Sequence, residues 1–152
     1  MIRTVLAFAA AIMLVGCSTT QDVTLAKAGL IKPIVSVAQV AEDGNSPQMD
    51  SNLLSALQMQ KLTVRASFPK GTRTAEGVDA LVSYVDVWRW DLAMYMKNLT
   101  VKLHDAQSGD LLAIAHWADS PLHGFRDAKA AMETLVAEMF AKLKASMGTP
   151  AK

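Results

Sequence analysis

The sequence has a single cysteine, aromatic residues at only 6%, and almost no imbalance of charge, with fifteen Lys plus Arg against fourteen Asp plus Glu. One cysteine excludes an intrachain disulfide, so the fold has to hold by packing alone. Balanced charge provides no large basic field, which argues against nonspecific nucleic-acid binding through phosphate neutralisation. No serine sits in a Gly-x-Ser-x-Gly elbow, so acyl-transfer chemistry has no anchor. No glycine-rich loop follows a strand to cradle phosphate, and no His-x-x-x-His or Cys pair supplies preorganised metal ligands. No repeat, low-complexity tract or second domain is visible.

What is present begins at the amino terminus. Met1 and Arg3 give a positive start, Val5 to Val15 form an uncharged apolar run, and small Gly16 and Cys17 close it. A membrane-spanning helix needs about 20 apolar residues, so this run is too short to span and reads as an export signal, residues 1–16. Leu14-Val15-Gly16-Cys17 resembles the lipobox of bacterial lipoproteins. That resemblance implies diacylglyceryl transfer to the Cys17 sulfur, cleavage after Gly16 and acylation of the new amino group. Two or more acyl chains make a stable anchor where one is marginal. Ser18 stands where an Asp would resemble the inner-membrane retention signal of Gram-negative bacteria, so the implied location is the outer membrane, facing the periplasm. Cleavage takes Arg3 away and leaves fourteen charges of each sign.

From Cys17 onward the chain is long enough for one domain of ordinary size with a real core. Residues 17–30 read as the lipidated cysteine and a tether, 31–147 as one α+β domain, and 148–152 as a tail. Ile31 to Ala41, with Ile34, Val35, Val37 and Val40, suits a strand covered on both faces. Ser46-Pro47 reads as N-cap and first residue of a helix, the Ser oxygen accepting an orphan amide. Met49, Leu53, Ala56, Leu57 and Gln60 then form its apolar stripe. Leu62, Val64 and Ala66 alternate with polar neighbours as a short half-buried strand. Phe68 to Asp79, with Pro69, Gly71 and Gly77, reads as a mobile loop.

Ala80 to Trp90 and Leu99 to Leu103 read as strands, with a bend or bulge between Asp91 and Lys97. Asp105 to Asp110 makes a hairpin turn with Gly109 at positive φ, pairing Leu103 with Leu112 and Val101 with Ile114. Ala128, Met132, Leu135, Val136, Met139, Phe140 and Leu143 define the last helix, with Lys129–Glu133 and Glu138–Lys142 pairs on its polar side and Gly148 and Pro150 ending it. The order predicts an α+β fold: a mixed, mostly antiparallel sheet of about five strands with two helices packed on one face.

Candidate functional residues each face a plainer alternative. Tyr84, Trp88, Trp90 and Tyr95 offer flat apolar faces for a ligand, but Trp88 and Trp90 share a strand face and are better explained as core. Asp86 and Asp91 invite an acid/base role, yet two Asp without a partner fix no reaction geometry, and hydrogen-bonding a turn or pairing Arg89 explains them. His104, His116 and His123, beside Asp105 or Asp119, are the metal candidates. In the hairpin register above, His104 and His116 fall on opposite faces, so neither a metal nor a cofactor is expected.

Tyr84-Val85-Asp86-Val87-Trp88-Arg89-Trp90-Asp91-Leu92, continuing to Tyr95, resembles a group of small proteobacterial envelope lipoproteins with no assigned catalytic residues. The layout is distantly similar to the α/β domains of envelope assembly proteins, including the amino-terminal domain of TolB. The resemblance implies fold and compartment. The expectation is a lipid-anchored, non-catalytic binding or assembly accessory, monomeric or weakly associated. Its alternatives are an envelope enzyme and a purely structural lipoprotein. Binding residues concentrate on loops carried by a rigid sheet, so Lys70, Arg73, Gln107 and Asp110 are the candidate contacts to an envelope protein partner.

Overall fold

Alternating apolar residues along two long neighbouring strands set the architecture. A computed structural model describes residues 19–26, 32–120 and 125–147. Its elements are β1 (Thr20–Leu25), β2 (Ser36–Val40), α1 (Pro47–Met59), β3 (Thr63–Phe68), β4 (Ala80–Asp91), β5 (Ala93–Asp105), β6 (Leu111–Ala118) and α2 (Ala128–Met147). The strands form one sheet in the order β1-β6-β5-β4-β2-β3. β2 runs parallel to β3 and β4, joined to β3 through α1, and the remaining pairs are antiparallel. The fold is α+β with six strands where about five were expected. The sixth is β1, which falls in the stretch read as tether and whose sequence shows a single buried apolar residue, Val23.

One face of the sheet carries the core. Val82 and Tyr84 on β4, Leu99, Val101 and Leu103 on β5, and Ala113, Ala115 and Trp117 on β6 pack against α1 and α2. The last helix buries Met132, Leu135, Val136, Met139, Phe140 and Leu143, the predicted stripe, and both predicted ion pairs form, Lys129–Glu133 at 3.8 Å and Glu138–Lys142 at 3.0 Å. Gly148 and Pro150 lie outside the described residues. A smaller cluster on the opposite face joins Ala38, Val40, Val78, Leu81 and Ala106, so β2 is covered on both sides as its composition predicts.

The β5–β6 register differs from the expected one. Leu103 faces Ala113 and Val101 faces Ala115, one residue along from the pairing with Leu112 and Ile114, with a bulge beside His104. A one-residue slip exchanges the faces of a strand. Small Ala113 and Ala115 leave room for α2, while Trp117 and the helix side chains fill the space. The slip also puts His116 on the outer face with His104, correcting their assignment to opposite faces.

Local devices differ too. Ser46 is the N-cap of α1 but its side chain caps nothing. Its hydroxyl instead donates to the buried Asp86 carboxylate at 2.7 Å, which also accepts the Trp88 indole N–H. Asp86 thus fastens the helix start to β4, in line with a turn-bonding role. β3 is an edge strand, exposed at Thr63, Arg65, Ala66 and Ser67 rather than half-buried throughout.

Removing core volume from α2 leaves a cavity the sheet cannot refill. Leu135→Ala or Phe140→Ala is expected to lower unfolding free energy by about 2–5 kcal/mol. Lys129→Ala, removing one surface pair, costs about 0.5 kcal/mol or less. Denaturant unfolding of the three variants checks the docking of this helix.

Candidate functional site at the two ends of the sheet

The loop after β3 and the turn after β5 meet at one end of the sheet. The Ala75 N–H donates to the Ala106 carbonyl at 2.8 Å and the Ala106 N–H to the Asp79 carbonyl at 3.1 Å. Gly109, at φ 78°, lies so near the loop that a Cβ there would sit 3.1 Å from the Arg73 carbonyl oxygen. The turn is fixed internally by the Asp105 carboxylate, which accepts the Gln107 and Ser108 amides at 2.8 and 2.9 Å. The Ser108 amide chiefly, despite some burial and with help from Gln107, holds this carboxyl below its usual range. Of Phe68 to Asp79, expected to be a mobile loop, Phe68 ends β3 and the rest is therefore a pinned cover on the smaller apolar cluster, to which it contributes Val78, with Phe68 and Ala75 packed against it. Composition alone does not reveal such pinning, because its partners are backbone groups distant in sequence.

The candidate contact residues divide between these two segments. Lys70 reaches away to Asp43 at 2.6 Å, and that hydrogen bond raises its pKa. Arg73 lines a cavity of about 330 Å³ with Glu42, Ser83 and His104. Burial, then the Lys102 charge, lowers the His104 pKa, so its imidazole is neutral near pH 7. Gln107 lines a neighbouring cleft with Thr74 and Ala75. Glu42 is the one carboxylate among the residues lining the first cavity, a poor set for paired acid/base work. Among the described residues no group of three or more His, Cys, Asp or Glu is placed to hold a metal ion. His123 and Cys17 lie outside them.

The other end of the sheet is built by β4 and β5 alone. β2 pairs with β4 only as far as Val82, and β6 pairs with β5 only from Asn98 onward. Beyond, β4 and β5 run on as a two-stranded arm, Trp88 opposite Met96, Trp90 opposite Met94, turning at Leu92 with φ 59°. Lys97 is the bulged residue, since Val87 faces Asn98 and Trp88 faces Met96, so the irregularity falls inside the predicted Asp91–Lys97 stretch. Trp88 packs against the core, but Trp90 is 73% exposed, which corrects its expected core role. Cross-strand partners share a face, so the core stripe continues out along the arm without a helix to cover it. On the reverse side Tyr95 meets Phe125 edge to face, centroids 6.0 Å apart. Tyr84 is core: its hydroxyl donates to Asp50 at 2.8 Å, and burial raises its pKa, with Asp50 adding to the effect.

The chain matches no protein-family model, and no curated protein matches it in sequence. In three dimensions it is similar to a PelC dodecamer subunit from Paraburkholderia phytofirmans, with TM-score 0.58, 17% identity, and 83% of this chain and 97% of that one covered. A variant of the same protein gives TM-score 0.53 over the same shares, also at 17% identity. TolB from Acinetobacter baumannii gives TM-score 0.47 at 14% identity, covering 81% of this chain and 32% of that one. At such identities the PelC likeness shows a shared fold.

The loop end also depends on Asp79, whose carboxylate accepts the Val35 and Ser36 amides at 3.1 and 2.9 Å and the Ser36 hydroxyl at 2.8 Å. Burial pushes its pKa up, but these bonds and Lys32 outweigh it and hold the carboxyl below the usual range. A depressed folded-state pKa stabilises the fold above the unfolded-state value, and the stabilisation is lost as pH falls through the folded-state value. Asp79→Asn is expected to cost about 1–3 kcal/mol near neutrality, the difference from the native chain shrinking below about pH 4. Urea unfolding across pH checks both sign and window.

Proposed function

We propose that this protein is a lipid-anchored, non-catalytic accessory of the bacterial envelope, tethered through Cys17 to the outer membrane and presenting its domain to the periplasm. The observation that carries this reading is the Leu14-Val15-Gly16-Cys17 sequence placed directly before a strand. β1 starts at Thr20 opposite Ala118, which in turn faces Asn98, so the strand that follows Cys17 enters the sheet at the arm end. The pinned loop and turn lie at the opposite end, because β4 and β5 close there with Ala80 facing Asp105. At about 3.3 Å per residue, the seven steps along β5 from Asn98 to Asp105 put the entry of β1 and the pinned turn roughly 23 Å apart. Lys70, Arg73, Gln107 and Asp110 are thus carried away from the anchored end, which suits contact with another envelope component. Among the described residues no helix is long and apolar enough to cross a membrane.

A second reading is self-assembly. It is favoured by the shared fold with a protein crystallised as a dodecamer and by the two open sheet edges, β1 and β3.

Replacing Cys17 by Ser is expected to abolish the lipid and release the protein from the membrane fraction. Retention with unchanged electrophoretic mobility contradicts the anchor. A photo-crosslinker at Gln107 in the lipidated chain is expected to capture a different envelope component. Products whose masses are multiples of this chain favour self-assembly instead.

A further inference from the structure

We infer that the tip of the β4–β5 arm, centred on Trp90, Leu92 and Met94, is a second membrane contact that inserts into the headgroup layer of the same leaflet that holds the Cys17 lipid. This rests on the lipoprotein reading and adds to it a surface and an orientation. Trp90, Leu92 and Met94 are 73%, 91% and 59% exposed and adjoin one another at the tip, a concentration of apolar surface of the kind that marks a contact site. Leu92 also holds positive φ, an unusual conformation for a branched side chain, and the turn places it at the extreme tip. Trp90 stands between Arg89 and Asp91, so the tip carries no net charge, and its indole is of the kind that lies at headgroup level at membrane interfaces.

The occupant follows from where the chain leads. Thr20 enters the sheet level with Asn98, the residue from which the arm departs, and Cys17 is three residues upstream. Three extended residues reach about 10 Å, whereas the six from Asn98 to Leu92 reach about 20 Å. A lipid on Cys17 therefore holds this end of the sheet nearer the bilayer than the arm is long. The arm is thus long enough to reach the headgroup layer when this end of the sheet faces the bilayer. Deeper entry is excluded, because both edges of a two-stranded arm carry unpaired amides and carbonyls that hydrocarbon does not satisfy.

The test uses the lipidated full chain reconstituted in phosphatidylethanolamine–phosphatidylglycerol vesicles carrying bromine on the upper acyl carbons. Tryptophan emission is expected to be quenched, and Trp90→Phe is expected to remove most of that quenching while Trp117→Phe retains it. Leu92→Asp with Met94→Asp is expected to reduce it at least about threefold with the protein still bound through its lipid. Equal quenching in Trp90→Phe, or none in protein that floats with the vesicles, overturns the inserted arm while leaving the anchor intact. Absence of the diacylglyceryl mass on Cys17 overturns the anchor and the arm together. In the unlipidated Cys17→Ser chain, free of lipid and detergent, shielding from aqueous acrylamide of the emission that Trp90→Phe removes assigns the tip to a second copy and overturns the lipid assignment.

Discussion

The pairing of β4 with β5 is the constraint on which the rest depends. It runs unbroken but for one bulge from Ala80–Asp105 to Asp91–Ala93, and every other strand joins one side or the other of this ribbon. The same ladder aligns Val82 and Tyr84 with Leu103 and Val101, creating the apolar face on which α1 and α2 dock. The helices in turn fix the sheet: Asp86 on β4 binds the start of α1, and Lys142 of α2 donates to the Val23 carbonyl on β1 at 3.1 Å. Each contact is modest. Their shared dependence on one hairpin makes the domain cooperative.

Because the hairpin is longer than its neighbours, it also polarises the molecule. At one end it overruns the sheet as an apolar-tipped arm beside the strand that follows Cys17. At the other end β5 turns into β6 through Asp105–Asp110, where the backbone of the loop after β3 is fastened down at Ala75 and Asp79. Two unlike ends of this kind suit the tethered accessory proposed above, with the end beside β1 toward the anchor and the loop end away from it. The cavity lined by Arg73 and His104 lies at the loop end, where it brings together one cation, one carboxylate and an imidazole whose pKa burial lowers.

The elements legible in the sequence were those with strong local periodicity. The stripe of α2 and its two ion pairs follow from spacing of three and four along a helix, and the Asp105–Asp110 turn from Asp and Gly at positions that demand them. Less legible was anything decided by neighbours. Thr20–Leu25 has too little apolar character to stand out, and becomes a strand because β6 offers an open edge. Hydrophobicity favours Leu112 and Ile114 as inward residues over Ala113 and Ala115, but helix approach selects the smaller pair. Ser46 looked like an ordinary cap until Asp86, forty residues away, claimed its hydroxyl. Of the candidate site, the loop and turn were visible as loops, but their mutual pinning was not. Trp90 reads as core in a strand whose end cannot be located without knowing where β2 and β6 stop.

An upright domain, arm down and loops away, is most directly tested by electron-paramagnetic-resonance depth measurement on nitroxides placed singly at positions 92 and 107 of the lipidated chain in vesicles. Upright anchoring predicts that the label at 92 is reached by oxygen more readily than by a water-soluble nickel chelate, while the label at 107 shows the reverse. Equal, water-like accessibility at both positions would contradict it.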